Sequence, residues 1–207
     1  MIKHIYLVRH GETIFNKQVK IQGSGMDSPL TSLGEEQAKK LLERFKTNNF
    51  NCDLVFSSPI GRALQTAGII TSYMEKNVIQ DDLLKEINCG DVEGDFVSSI
   101  DPQKLEKLRT SPDEKYPGGE CVEDVILRAK QFLEKLESYN DKSVLIISHG
   151  NFIRCFIAAA TQMPSMLSMR IFIDNTSLSY LYYFYSYYRL ITLNDISHLS
   201  PIPLKTL

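Results

Sequence analysis

Two apolar runs in this chain end in the same way. Leu7-Val8-Arg9-His10-Gly11 and Leu145-Ile146-Ile147-Ser148-His149-Gly150 each carry a hydrophobic segment straight into a histidine followed by glycine. A continuous apolar run of this kind fits a strand covered on both faces, as in a parallel sheet. In a parallel sheet the carboxyl ends of neighbouring strands lie side by side, which is where open α/β proteins bind ligands. Both histidines can then share one edge. The glycines allow tight turns and close approach of backbone to a ligand.

The rest of the chain fits that sheet. Strands are expected over 2–9, 53–57, 143–148, 177–185 and 187–193. Helical patterns alternate with them. In 32–45, Ser32 and Glu35 have capping-box spacing. Ser58 and Pro59 suit an N-cap and first position for a helix running to about residue 75. Val122, Val125, Ile126, Ala129, Phe132, Leu133 and Leu136 form an amphipathic stripe, and a last helix is expected over 151–160. The alternation predicts an α/β three-layer sandwich: a mostly parallel central sheet flanked by helices. Residues 88–118, rich in Gly, Asp, Ser and Pro, read as a substrate-covering excursion over the sheet's C-terminal edge, within a single domain of residues 1–207.

A net charge of −2 argues against a nucleic-acid partner, so any anion site must be local, built from a few Arg and His. The N-terminus lacks a signal-peptide pattern, and no apolar run approaches the roughly 18 residues of a membrane span. Cys52, Cys89, Cys121 and Cys155 are far apart in sequence and form no CxxC, which argues against a disulfide framework or a zinc site. The expectation is a cytoplasmic chain with no membrane partner.

Several residues have the character of an anion site. Arg9 keeps its charge, so an anion should meet it, and it should hold His10 neutral and nucleophilic. Arg62 falls in the first turn after strand 53–57, near the same edge, where its guanidinium could fork onto a phosphate. Glu86, before a Gly-rich turn, is a candidate proton donor, with Glu93 as its competitor. His4 and His198 lack such context and are read as structural.

The ordered blocks LVRHGET, Asn16, Gln22-Gly23, Pro29-Leu30-Thr31-x-x-Gly34-x-x-Gln37-Ala38, Ser57-Ser58-Pro59-x-x-Arg62-Ala63-x-Gln65-Thr66-Ala67, Glu86, Gly90-x-x-Glu93-Gly94, Pro117-Gly118-Gly119-Glu120 and Ser148-His149-Gly150 resemble the histidine phosphatase (phosphoglycerate mutase-like) superfamily. The resemblance runs from about residue 3 to 185 and implies roles. His10 would be the phosphorylated nucleophile. Arg9, Arg62 and a protonated His149 would bind the phosphoryl oxygens, with Gly150 beside them. Glu86 would be general acid, then base. Asn16, Gln22 and Gly23 would belong to the loop that touches the phosphoryl group or substrate. No metal or cofactor is implied. Phe15 and Val92 stand where the family often has Trp, a change in packing rather than in chemistry.

The implied activity is metal-independent hydrolysis of a small phosphorylated metabolite through a phosphohistidine. The alternative is a cofactor-dependent phosphoglycerate mutase. Such relatives carry a longer, more basic insertion, whereas residues 87–116 hold four basic and seven acidic side chains. A non-catalytic phosphate-binding protein is the third reading. The stretches EINCGDVEG and KYPGGECVED resemble both the alpha-ribazole phosphatase and fructose-2,6-bisphosphatase branches. The Tyr-rich segment 180–188 reads as strand packing, with a homodimer interface as its other use.

Overall fold

The computed structural model describes residues 1–140 and 142–199. Its strands are β1 (His4–Arg9), β2 (Leu54–Ser57), β3 (Val78–Gln80), β4 (Ser143–Ser148), β5 (Leu178–Phe184) and β6 (Tyr187–Asp195). They form one sheet in the order β3-β2-β4-β1-β5-β6. The pairs β2–β3, β2–β4 and β1–β4 are parallel, and β5 and β6 add an antiparallel edge.

Register decides where the site falls. β1 and β4 pair from His4↔Ser143 to Arg9↔Ser148, so the two apolar runs end at the same height. The His10 N–H donates to the Ser148 carbonyl (3.0 Å), and the Ser58 N–H to the Ile147 carbonyl (2.9 Å). Three adjacent parallel strands thus deliver His10, His149 and Ser58 to one edge.

Helices cover both faces. Helix α1 (Ile14–Lys17) is one short turn near the site. Helices α2 (Ser32–Thr47) and α3 (Gly61–Ile70) pack Ala38, Leu41, Phe45, Ala63, Ala67 and Ile70 against Val8, Val55, Leu145 and Ile147. Helix α4 (Pro102–Thr110) lies within the excursion. Helices α5 (Val122–Leu136) and α6 (Gly150–Thr161) pack Val125, Ala129, Phe132, Phe152 and Phe156 against Ile5, Leu7, Phe56, Val144 and Ile146. Helix α7 (Ser165–Ser168) follows. Along β1 and β4, alternate side chains enter the two cores, which is why residues 5–8 and 144–147 are hydrophobic at consecutive positions. Among the described residues, no helix is long and apolar enough to cross a membrane.

Five local expectations change. The cap of α2 is Thr31, whose hydroxyl accepts from the Gly34 N–H (3.0 Å), not Ser32, because Thr31 N is held by the Glu12 carbonyl (2.9 Å). Helix α3 begins at Gly61, not at Pro59, and Ser58 is not its cap. It ends at Ile70, not near 75: the Thr71 hydroxyl bonds back to the Ala67 carbonyl (2.8 Å), and the Tyr73 hydroxyl ties the following turn to the Phe50 carbonyl. The excursion contains α4, signalled in sequence by Asp101 at its N-cap and Pro102 at its first position. Strand β3 was absent from the sequence reading, being only three residues long.

Segment 88–118 is tied to the loop after α1. The Ile21 N–H donates to the Asp95 carbonyl (2.8 Å) and the Gly94 N–H to the Ile21 carbonyl (2.9 Å). Lys20 lies over the rings of both Phe15 and Phe96.

Candidate active site

His10 is almost fully buried. Its Nδ1 lies 2.7 Å from the Gly11 carbonyl. A carbonyl only accepts, so Nδ1 carries the proton and Nε2 keeps the lone pair. Burial first, then the charges of Arg9 and Arg62, hold His10 well below the ordinary histidine pKa, opposed by the Gly11 carbonyl. The following turn is fixed from both sides. The Gly11 N–H donates to Thr66 Oγ1 (3.0 Å), which itself donates to the Arg62 carbonyl (2.8 Å). A Cβ at Gly11 would run into the Gly34 carbonyl, so the two motif glycines let the chains touch.

His149 stands beside His10, ring centroids 5.2 Å apart, with no exposed surface. Its Nε2 lies 2.8 Å from Ser58 Oγ, and its Nδ1 is buried without a partner. Burial, then Arg62, His10 and Arg9, push its pKa well below the usual value. Neighbours that are cationic or can become so thus add to burial in disfavouring a charge on this ring.

Arg62 has no exposed side-chain surface. It donates to the Gly23 carbonyl (2.9 Å), Asp27 Oδ1 (3.2 Å) and the Met26 carbonyl (3.4 Å). Arg9 donates to the Ile173 carbonyl (2.7 Å) and lies over Gly150 at the start of α6. Among the described residues, the buried Nε of each arginine and Nε2 of Gln22 have no partner. The Gln22 carbonyl oxygen accepts from the Thr13 hydroxyl (2.8 Å). Asn16 caps back onto Thr13 and receives Asn175 Nδ2 (3.3 Å), which also reaches the His10 carbonyl (3.0 Å).

Glu86 is 5% exposed, at the other side of α6's first turn. Its carboxyl accepts from the N–H groups of Ile87 (2.9 Å), Phe152 (3.2 Å) and Asn151 (3.2 Å). These three N–H groups fix the carboxyl group against the start of α6. Arg128 fixes the segment, donating to the carbonyls of Leu83, Lys85 and Glu86 and forking onto Glu120 (2.8 and 3.0 Å). Glu93 is placed differently. Its carboxylate accepts from the backbone N–H groups of Gly25, Met26 and Cys89, and so straps the excursion to the loop that touches Arg62.

The structure therefore gathers Arg9, His10, Arg62 and His149, brings Gln22, Gly23 and Asn16 in from the first loop, and sets Glu86 across α6's first turn from Arg9. His4 sits apart, against Tyr180, and His198 against Thr176. Sequence reasoning missed Asn175, Thr66, Arg128, Arg154 and the contact of Ser58 with His149. Arg154, one turn along α6, has a buried Nε without a partner. Among the described residues no group of three or more His, Cys, Asp or Glu side chains is placed to hold a metal ion.

Known proteins resemble this chain over most of its length. Residues 5–196 match the family model of the histidine phosphatase superfamily (branch 1). The probable phosphoglycerate mutase GpmB of Proteus mirabilis (strain HI4320) is 33% identical over 211 residues, 97% of this chain and 96% of that protein. The uncharacterized phosphatase PhoE of Bacillus subtilis (strain 168) is 35% identical over 198 residues, 95% of this chain and 96% of that one. Among solved structures, a mycobacterial glucosyl-3-phosphoglycerate phosphatase complexed with VO3 has a TM-score of 0.86 at 26% identity, covering 93% of this chain and 99% of that chain.

Proposed function

Because the chain belongs to the histidine phosphatase superfamily, we propose that it is a metal-independent phosphomonoesterase acting on a small phosphorylated metabolite. The observation that carries this reading is a set of buried nitrogens without partners among the described residues: Arg9 Nε, Gln22 Nε2, Arg62 Nε and His149 Nδ1. Buried polar atoms normally find partners, and leaving one unpaired costs roughly 1–3 kcal/mol. Four of them, drawn from elements that meet around a neutral His10, suit a tetrahedral dianion.

In the first step His10 Nε2 attacks phosphorus in line, and the ester P–O bond breaks. Glu86, protonated, gives its proton to the departing alkoxide. In the second step the Glu86 carboxylate takes a proton from water, the water oxygen bonds to phosphorus, and the N–P bond breaks to release phosphate. Arg9, Arg62 and His149 hold the three equatorial oxygens, where transition-state charge accumulates.

Hydrolysis is favoured over mutase chemistry by the acidic balance of the excursion, in which two of the four cations are already engaged, Lys104 with Glu114 and Lys115 with Asp124 (3.0 Å). Turnover of p-nitrophenyl phosphate in EDTA tests the hydrolase. Absence of turnover would return the chain to a phosphate-binding role, and faster isomerisation of phosphoglycerate than hydrolysis would make it a mutase.

A further inference from the structure

We propose that Ser58 is a positioning residue that sets the tautomer of His149, so that His149 presents Nδ1–H as a donor in the anion pocket. The hydroxyl has no exposed surface and two neighbours. It accepts from the Ile60 N–H (3.3 Å) and lies 2.8 Å from His149 Nε2. A hydroxyl has one proton to give. With the Ile60 N–H already pointing at the oxygen, the proton's available acceptor is Nε2. A ring nitrogen that accepts carries no hydrogen, so the proton of the neutral imidazole is on Nδ1.

The opposite tautomer fails twice. With hydrogen on Nε2, two N–H groups would converge on Ser58 Oγ and its own proton would be stranded in a buried site. Nδ1 would then turn a lone pair, rather than a donor, into a pocket whose other orphaned atoms are all donors. His10 uses the same device with a different acceptor: the Gly11 carbonyl takes its Nδ1–H and frees Nε2. The two neighbouring rings are therefore set in one tautomer for complementary jobs, a lone pair on Nε2 of His10 and a donor on Nδ1 of His149.

The assignment of the tautomer stands on hydrogen-bond geometry alone. Its catalytic consequence rests on the phosphatase reading above. The experiment separates the two. In protein labelled with 15N-histidine, the His149 ring is assigned by its loss in His149→Gln, and the protonated nitrogen is read from ring couplings at neutral pH. Wild-type protein should show hydrogen on Nδ1. In Ser58→Ala the ring should move to a mixture or to the Nε2–H form, and kcat/KM for p-nitrophenyl phosphate should fall by about tenfold or more, toward the effect of losing one transition-state donor. Ser58→Thr, which keeps the hydroxyl, should restore the Nδ1–H form and most of the rate. A wild-type ring protonated on Nε2 would overturn the proposal, even if Ser58→Ala fails to fold. So would an unchanged tautomer in Ser58→Ala, or a changed tautomer with undiminished kcat/KM. If wild-type protein hydrolyses no phosphoester at all, the functional reading fails, while the spectrum still decides the Ser58–His149 pair.

Discussion

Replacing Arg62 tests the anion pocket most quantitatively. The side chain is fully buried, is close enough to Arg9 for their charges to oppose one another, and holds Asp27, whose side chain is 45% exposed. In Arg62→Ala the stability terms partly cancel. The Gly23 carbonyl loses its 2.9 Å partner, worth about 1–3 kcal/mol if it stays buried and unpaired. Against that, a buried cation close to Arg9 is removed. Asp27 is solvated enough that its lost ion pair contributes less than about 1 kcal/mol. The transition state has no such compensation. Loss of a desolvated cation facing a phosphoryl oxygen should cost about 2–5 kcal/mol, or roughly 30- to 5,000-fold in kcat/KM. Arg62→Lys should recover only part of this, since an ammonium cannot reach Gly23, Asp27 and a phosphoryl oxygen from one planar fork. The assay is kcat/KM for p-nitrophenyl phosphate alongside thermal melting. A folded Arg62→Ala protein within about threefold of wild type would refute the reasoning, because it would make the orphaned Nε incidental.

Glu86→Gln should lose far more kcat/KM on an alkyl phosphate than on p-nitrophenyl phosphate, whose leaving group, with a pKa of about 7, needs little protonation; equal losses in rapid-quench experiments would remove Glu86 from the proton-transfer role. Glu93→Ala should leave three backbone N–H groups without their acceptor, lower stability by roughly 1–3 kcal/mol and weaken vanadate binding by loosening the loop around Gly23, while leaving the leaving-group dependence intact; a changed leaving-group dependence would instead make Glu93 the acid. His10 and His149 both have folded pKa values pushed down, so each is neutral when folded and charges on unfolding below about pH 6.5. Their contribution is full above that pH and is lost as pH falls, with a slope approaching about 1.4 kcal/mol per pH unit for each. Denaturant titrations from pH 7.5 to 5 should show this slope shrink in His10→Gln, and an unchanged slope would mean that the ring is charged or exposed in the native state.

Much of the site was legible because its chemistry is concentrated at strand ends. An apolar run, a histidine and a glycine specify a buried strand, an imidazole at its end and a turn within five residues, and β1–β4 register then brings His10 and His149 together. Arg62 and Glu86 were legible from the spacing of motifs around them. Ser58 was misread because serine before proline has a local reason to exist, capping, while its actual partner lies 91 residues away. Asn175 and Arg128 act through contacts 165 and 45 residues distant, and nothing in their local sequence marks them. Glu93 was ambiguous for a related reason: a carboxylate that straps backbone amides and one that moves protons look alike in sequence. The helix inside the excursion was legible in principle from Asp101-Pro102, but a short helix with one buried residue, Leu108, has little periodicity to read.

The central claim is that His10 carries the phosphoryl group during turnover. Wild-type protein mixed with 32P-labelled substrate and quenched within milliseconds should hold up to one phosphate per chain, stable in base, labile in acid and mapped to His10 by peptide sequencing. Glu86→Gln should accumulate it, and His10→Ala should abolish it. Phosphate retained by His10→Ala, or turnover with no label on the wild-type chain under conditions that trap it in Glu86→Gln, would contradict the account.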